Sequence, residues 1–317
     1  MSRSKQITGL YQLILFLKMH KETKDLDRLL AYYKSKLKPY AYNIIGDSLA
    51  AEDLVHDVLN HYFIETPTHV KQPENYLIRA VVNNAINQKN LLRTRLETYP
   101  GTWLPTPVFT DEDIYAKVDQ EKVLNYSLMV LLENLNAKER AVFILKETYE
   151  YSHDEIGSIL DIKTEHSRQL LKRSKEKLTQ HTSIAPVAKS SDHQKTINQL
   201  TEAILTNDLD RVKDVLSENV KSISDGGSKV SAARKTLIGP DRVSRFLQAI
   251  YGKYMPESAL MEYTTINHLP AINFVLKDNI FRCILFDFSK EKIKHIYIIV
   301  NPDKLEILNN LRRSVTH

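Results

Sequence analysis

The sequence predicts a multidomain protein in which two all-α modules precede an α+β domain with a curved antiparallel sheet. Three observations carry this. Apolar residues recur at three- and four-residue spacing from Leu26 to Leu178. Four runs rich in Ile, Val, Phe and Tyr, with hairpin-length gaps, fill residues 259–300. Stretches without periodicity at 98–120 and 181–194 divide the chain. At 317 residues, 42% of them apolar, the chain has the length of about two domains and enough apolar content for separate cores.

Residues 1–24 read as a leader. Leu10–Leu17 is broken by Gln12, is too short to span a bilayer and precedes no small-residue cleavage site, so no signal peptide is expected; Met19 is an alternative start. Residues 25–97 form the first helical module. Leu26, Leu29, Leu30, Tyr33, Leu37, Ala41 and Ile44 mark one amphipathic helix, and Leu54, Val55, Val58, Leu59 and Tyr62 a second behind the cap Ser48. Pro73 suits the first turn of a third, which runs through Leu77, Val81 and Ala85 to about Arg95. This helix carries Asn83, Asn84, Asn87 and Asn90. Asparagine competes for backbone hydrogen bonds, so such a cluster calls for polar partners, and base edges would supply them.

Residues 98–120 form a linker, with Pro100, Gly101, Pro105 and Pro107 around Trp103, the only tryptophan. The second module, 121–180, begins with Leu124, Leu128, Leu131, Leu132 and Leu135, and Asn136 with Glu139 caps a helix to about Tyr149. From Ser152 to Leu178 the pattern is a helix-turn-helix. Ser152 and Glu155 make a capping box, Asp161, Ile162 and Lys163 form the hinge, and Ser167, Leu170, Leu171, Ser174 and Leu178 line one face of the second helix. Glu165, Arg168, Gln169, Lys172 and Lys175 then face outward, as a helix reading a major groove requires. Residues 163–178 hold six Lys or Arg against two Glu, most of the positive excess of a chain whose net charge is +5.

After the 181–194 linker, residues 195–300 read as α+β, with helices near 195–217 and 240–254 and strands at 259–266, 271–277, 280–287 and 292–300; residues 301–317 read as a tail. Cys283 is the one cysteine, which excludes an intramolecular disulfide and fits a cytoplasmic setting. No CxxC or HExxH spacing offers a zinc site, and neither a metal nor a cofactor is expected.

Two helical modules joined by a linker, the second ending in a basic helix-turn-helix, resemble regions 2 and 4 of bacterial sigma factors of the extracytoplasmic-function type. Glu52, Asp53, Leu54, Val55, His56 and Asp57 resemble the acidic helix that docks on core RNA polymerase, with His56 where the family often has Gln. Tyr76, Leu77, Arg79 and Asn83 match the pattern of the helix that opens and reads the minus-ten element, while Asn87 departs from the usual Asp. Tyr99, Gly101, Trp103, Leu104, Pro105 and Pro107 resemble the linker signature of one subgroup, which carries a fused SnoaL-like domain. Thr106 stands where that signature is often acidic. Asp225, Gly226, Gly227 and Lys229 match a DGGGK motif with Ser228 for the third glycine, and Asn301, Pro302, Asp303, Lys304 and Leu305 reproduce NPDKL; Asn267, Pro270 and Ala271 also fit.

The resemblance implies a sigma factor that binds core polymerase through the β′ clamp helices and the β flap. Asp53, His56 and Asp57 would make the core contact. Tyr76, Arg79, Asn83, Asn87, Lys89 and Arg93 would read the minus-ten element, and Glu165, Arg168, Gln169, Lys172 and Arg173 the minus-thirty-five element. The SnoaL-like domain would regulate in cis, with no separate anti-sigma factor required, no membrane partner and no catalytic residue. The expected regulatory contact brings Trp103, flanked by prolines as a rigid apolar plug, together with Leu104 and Pro105, to the DGGSK and NPDKL segments. Two other readings stay open: a repressor or activator with a ligand-sensing SnoaL-like domain, and a SnoaL-like enzyme with Asp225 as general base near His268 or His295. A small-molecule ligand in the pocket of that domain is compatible with each of them.

Overall fold

Capping boxes form where Asn136 and Ser152 predict them. In each, the cap side chain accepts from the backbone three residues on, and Glu139 or Glu155 reaches back to the cap amide. The computed structural model describes residues 23–65, 70–110, 120–179, 191–253 and 255–313. The leader up to residue 22, positions 111–119 of the first linker, 180–190 of the second and the last four residues of the tail lie outside them. The chain divides into two compact units.

The first unit contains α1 (Thr23–Ile45), α2 (Ser48–Glu65), most of α3 (Pro73–Leu96), then α5 (Ala137–Glu147), α6 (His153–Leu160) and α7 (Thr164–Thr179). Leu37, Ala41, Ile44, Leu59, Leu77, Val81 and Ala85 form its buried seam, as their spacing requires. The turn between α6 and α7 is built by Gly157 and Asp161. Asp161 is left-handed (φ 53°), and a Cβ on Gly157 would stand 2.8 Å from the Ile162 carbonyl, so a larger residue there would push the two helices apart.

A polar centre ties α3 to α5. Lys89 is 6% exposed; its ammonium donates to the Ile45 carbonyl at 2.9 Å and to Glu133 at 2.7 Å, and Arg140, fully buried, pairs with the same carboxylate. Burial pushes the Glu133 carboxyl up, but Arg140 and Lys89 outweigh burial and hold it below the usual carboxylate range. Lys89 was expected to face promoter DNA, and the structure corrects this. Position 89 continues the buried stripe of Ile78, Val82, Ala85 and Ile86, so its stem packs inward and its charge needs an internal acceptor.

The second unit holds the linker from Thr94, α4 (Tyr126–Leu131), α8 (Ser191–Leu205), α9 (Leu209–Asp214), α10 (Pro240–Lys253), α11 (Pro302–Arg313) and six strands. These are β1 (Leu216–Asp225), β2 (Leu237–Ile238), β3 (Leu260–Ile266), β4 (Leu269–Leu276), β5 (Asn279–Ser289) and β6 (Lys292–Ile299), in the order β2-β1-β6-β5-β4-β3. The four expected strands form and pair antiparallel, but β1 adds beside β6 in parallel, so the sheet is mixed rather than wholly antiparallel. The helix expected over 195–217 ends at Leu205, restarts behind the cap Asp208 and gives way to β1. One face of the sheet buries Ile272, Phe274, Ile284, Phe286, Ile296 and Ile298 with residues of α8, α9 and α10. Its other face packs Leu285, Tyr297 and Ile299 with Leu104, Phe109, Tyr126, Leu305 and Leu308. The linker, α4 and α11 therefore pack in this core, and residues 302–313, read as a tail, form a helix.

Candidate functional sites

On α7 the buried face is fixed in detail. Ser167 Oγ lies 2.9 Å from His153 Nδ1, Ser174 donates to the Glu139 carbonyl at 3.1 Å, and Lys177 pairs with Glu139 at 2.7 Å. Fixing this face leaves Glu165, Arg168, Gln169, Lys172 and Arg173 exposed together along the outer face. Their mutual pairs are loose: Arg168–Glu165 at 3.3 Å, and Lys172–Glu176 at 3.9 Å between side chains more than half exposed. Exposed pairs of this kind contribute about 0–1 kcal/mol, so a phosphate or base edge displaces them at little cost.

Along α3, Tyr76, Arg79, Asn87 and Arg93 are exposed. The Tyr76 ring sits 5.7 Å from that of Tyr62. Asn83 is engaged instead: its amide donates to the Arg79 carbonyl at 2.8 Å and to the Ile159 carbonyl of α6 at 2.7 Å. On α2, Asp53, His56 and Asp57 are exposed on the side opposite the buried Leu54, Val55, Val58 and Leu59, with His56 Nδ1 3.1 Å from the Asn60 amide nitrogen.

The second unit gathers the linker, DGGSK and NPDKL residues around one buried carboxylate. Asp225 Oδ1 accepts from the Tyr99 hydroxyl at 2.5 Å and the Gly227 amide at 3.0 Å, and Oδ2 from the Leu104 amide at 2.9 Å and the Lys304 ammonium at 2.5 Å. Lys304 also donates to the Leu104 carbonyl and stands 4.5 Å from the Trp103 ring centroid. Asn301 donates to Tyr99 at 2.9 Å, and the Tyr99 hydroxyl is pushed above its ordinary range, first by burial and then by the carboxylate it faces. Lys229 pairs with Asp303 at 2.5 Å. Gly227 (φ 62°) lies so close to Asn301 that a Cβ would come within 2.9 Å of its side chain.

Trp103 meets the NPDKL segment through Lys304, and Leu104 beside it is buried more deeply. Leu104 is fully buried with Leu305 and Leu308, whereas the half-buried Trp103 lies at the rim over the Lys304 charge. Sequence reasoning left Asn267 out of the site, although it anchors the same linker: it exchanges hydrogen bonds with Val108 at 2.9 Å and donates to the Leu124 carbonyl at 3.1 Å. An asparagine between two strand-like runs was the available signal, and the structure shows it left-handed (φ 45°) at the β-hairpin corner. His295, a candidate partner for a catalytic Asp225, instead lies 2.7 Å from Asp287. Among the described residues, no group of three or more His, Cys, Asp or Glu is placed to hold a metal, and no helix is long and apolar enough to cross a membrane.

Comparison with known proteins agrees with this geometry. Residues 126–178 match the family model of sigma-70, region 4. The chain is 27% identical over 227 residues to the ECF RNA polymerase sigma factor SigJ of Mycobacterium tuberculosis, covering 70% of this chain and 72% of that one. It is 21% identical over 279 residues to the probable ECF RNA polymerase sigma factor SigI of the same species, covering 87% and 93%. The crystal structure of M. tuberculosis SigJ shares the fold, with a TM-score of 0.70 at 24% identity over 87% of this chain and 96% of that one. A helix-turn-helix matching sigma-70 region 4, a second helical module before it and an α+β domain after it make the chain a homologue of the extracytoplasmic-function sigma factors.

Proposed function

We propose that the protein is a promoter-specificity subunit of bacterial RNA polymerase whose C-terminal domain regulates it by holding the linker. Asp53, His56 and Asp57 meet the core enzyme, Tyr76, Arg79, Asn87 and Arg93 meet the minus-ten element, and the outer face of α7 meets the minus-thirty-five element. The observation that carries the reading is α7, where five polar side chains stand exposed on a helix whose opposite face is locked by hydrogen bonds. The work is done on DNA by binding, with no catalytic group and no membrane partner, in the cytoplasm. Asp225 supports this over an enzyme reading: its four acceptor sites are all filled, which leaves no lone pair to take a substrate proton.

Two promoter elements about 25 base pairs apart are separated by roughly 80 Å at about 3.4 Å per base pair. Asn83 of α3 touches Ile159 of α6 directly, so this compact helical arrangement cannot read both at once. It is a resting form that opens on the polymerase, and Asn83 becomes available to a base when it does. The carboxylate clamp on the linker sets how readily that happens, without a separate anti-sigma factor.

The test is promoter-dependent transcription with bacterial core polymerase, using DNA upstream of the protein's own gene. Specific transcripts that require this protein are expected; no transcript and no core binding would favour a repressor. Arg168→Ala should lose about 1–3 kcal/mol of discrimination at one base pair. Lys172→Ala should weaken all sequences alike and lower the salt slope by about 0.9. Unchanged promoter choice in the Arg168 variant would displace the recognition helix from the position assigned to it.

A further inference from the structure

We propose that the helix-covered face of the C-terminal sheet holds a site for a small organic monocarboxylate with an apolar body, whose counter-charge is the Arg282 guanidinium. Four lysines or arginines are buried among the described residues. Lys89 and Arg140 pair with Glu133, and Lys304 pairs with Asp225. Arg282, 8% exposed, has no carboxylate partner among the described residues. Its Nη1 makes one long hydrogen bond, to the Ile250 carbonyl of α10 at 3.4 Å, and Nε has no partner. Burial pulls the guanidinium below its ordinary value. A charge taken out of water without a counter-ion is strongly unfavourable, so this guanidinium is the group that points to a ligand.

The surroundings select the ligand class. The rings of Phe274 and Phe281 flank the guanidinium, with centroids 5.9 and 5.7 Å from Cζ. A bulge in β5, where Phe274 faces Arg282 and Val275 faces Ile280, brings Phe281 and Arg282 to the same face. The cross-strand row Met261–Phe274–Arg282 leads in from the edge strand β3, where Met261 and Tyr263 of this face are 38% and 46% exposed. Because Nε is enclosed, the ligand meets Arg282 through Nη2, which makes no hydrogen bond among the described residues. One cation set among two phenylalanines, a methionine and a tyrosine suits a single negative charge on an aromatic or aliphatic body, whereas a phosphate dianion would lack a second cation. Asp225 lies on the opposite face of the sheet, in register with Ile299, so this site is separate from the clamp and does not depend on the promoter reading.

Benzoate and hexanoate would each be titrated into the full chain at constant ionic strength, with benzamide and acetate as controls, and melting followed by calorimetry. A saturable rise in melting temperature is expected with at least one of the two acids, and none of comparable size with neutral benzamide or with acetate at the same concentration. Arg282→Lys keeps the charge but loses the fork, and should raise the half-saturation concentration about tenfold. Arg282→Met should abolish the response while the free variant melts no lower than the parent, because it removes an unpaired charge and keeps an apolar stem. A guanidinium with a purely structural role predicts the reverse, a lower melting temperature for the free Met variant. That result, a parent that responds to neither acid, an equal response to benzamide or acetate, or a Met variant that still responds would overturn the site.

Discussion

Asp225→Ala is expected to lower the stability of the α+β unit by about 3–5 kcal/mol and to release the linker from it. Four donors lose their acceptor at once, and the most costly of them is Lys304, only 5% exposed, which keeps the Leu104 carbonyl but loses the carboxylate it pairs with. Release should appear as a red shift of Trp103 emission, because the ring loses Lys304 and gains water, and as faster proteolysis near residue 104. Tyr99→Phe is the mild counterpart. It deletes one hydrogen bond to the carboxylate and one from Asn301, costs about 1 kcal/mol or somewhat more, and should change transcript yield with the domain still folded. Replacing both charges, Asp225→Asn with Lys304→Met, should cost less than the sum of the two single changes, since each single change strands a buried partner. Parental Trp103 emission and melting in Asp225→Ala would remove the clamp from the mechanism.

The helical modules were legible because their signals are local. Capping boxes at Asn136 and Ser152 and apolar residues at three- and four-residue spacing are written within a few turns, and the structure uses them as they stand. Strand β1 was not legible. It carries Glu218, Lys221, Ser222, Ser224 and Asp225, and it buries the last three, so its pattern reads as polar coil until β6 and the linker are known. The clamp was readable only as a resemblance, since Asp225 and Lys304 are 79 residues apart and no periodicity links a carboxylate to a lysine at that distance. Lys89 shows the opposite failure. Its position on the apolar stripe of α3 was written in the spacing, but its charge drew it to the DNA-facing set; Glu133, which accepts that charge, lies 44 residues on, and no periodicity links a lysine to a carboxylate at that distance.

Glu133→Gln should therefore have the largest effect on the helical unit. One carboxylate serves two buried cations, Lys89 from α3 and Arg140 from α5, so neutralising it takes from both the negative charge they share. A loss of about 3–5 kcal/mol corresponds, at roughly 2–4 °C per kcal/mol, to a drop in melting temperature of about 10 °C. The pH dependence follows from the lowered carboxyl. Its stabilisation is complete above the unfolded value near ~4.3 and disappears as pH falls through the lower folded value, so the parent should lose stability in that acidic window and the Gln variant should not. The functional consequence runs the other way. On the function proposed above, separating α3 from the helix-turn-helix is part of the cost of engaging two distant promoter elements, so a weaker internal tie should raise the rate of core binding even as it lowers thermal stability. A Gln variant that melts with the parent and binds core polymerase no faster would mean that the Glu133 centre does not hold the resting form together.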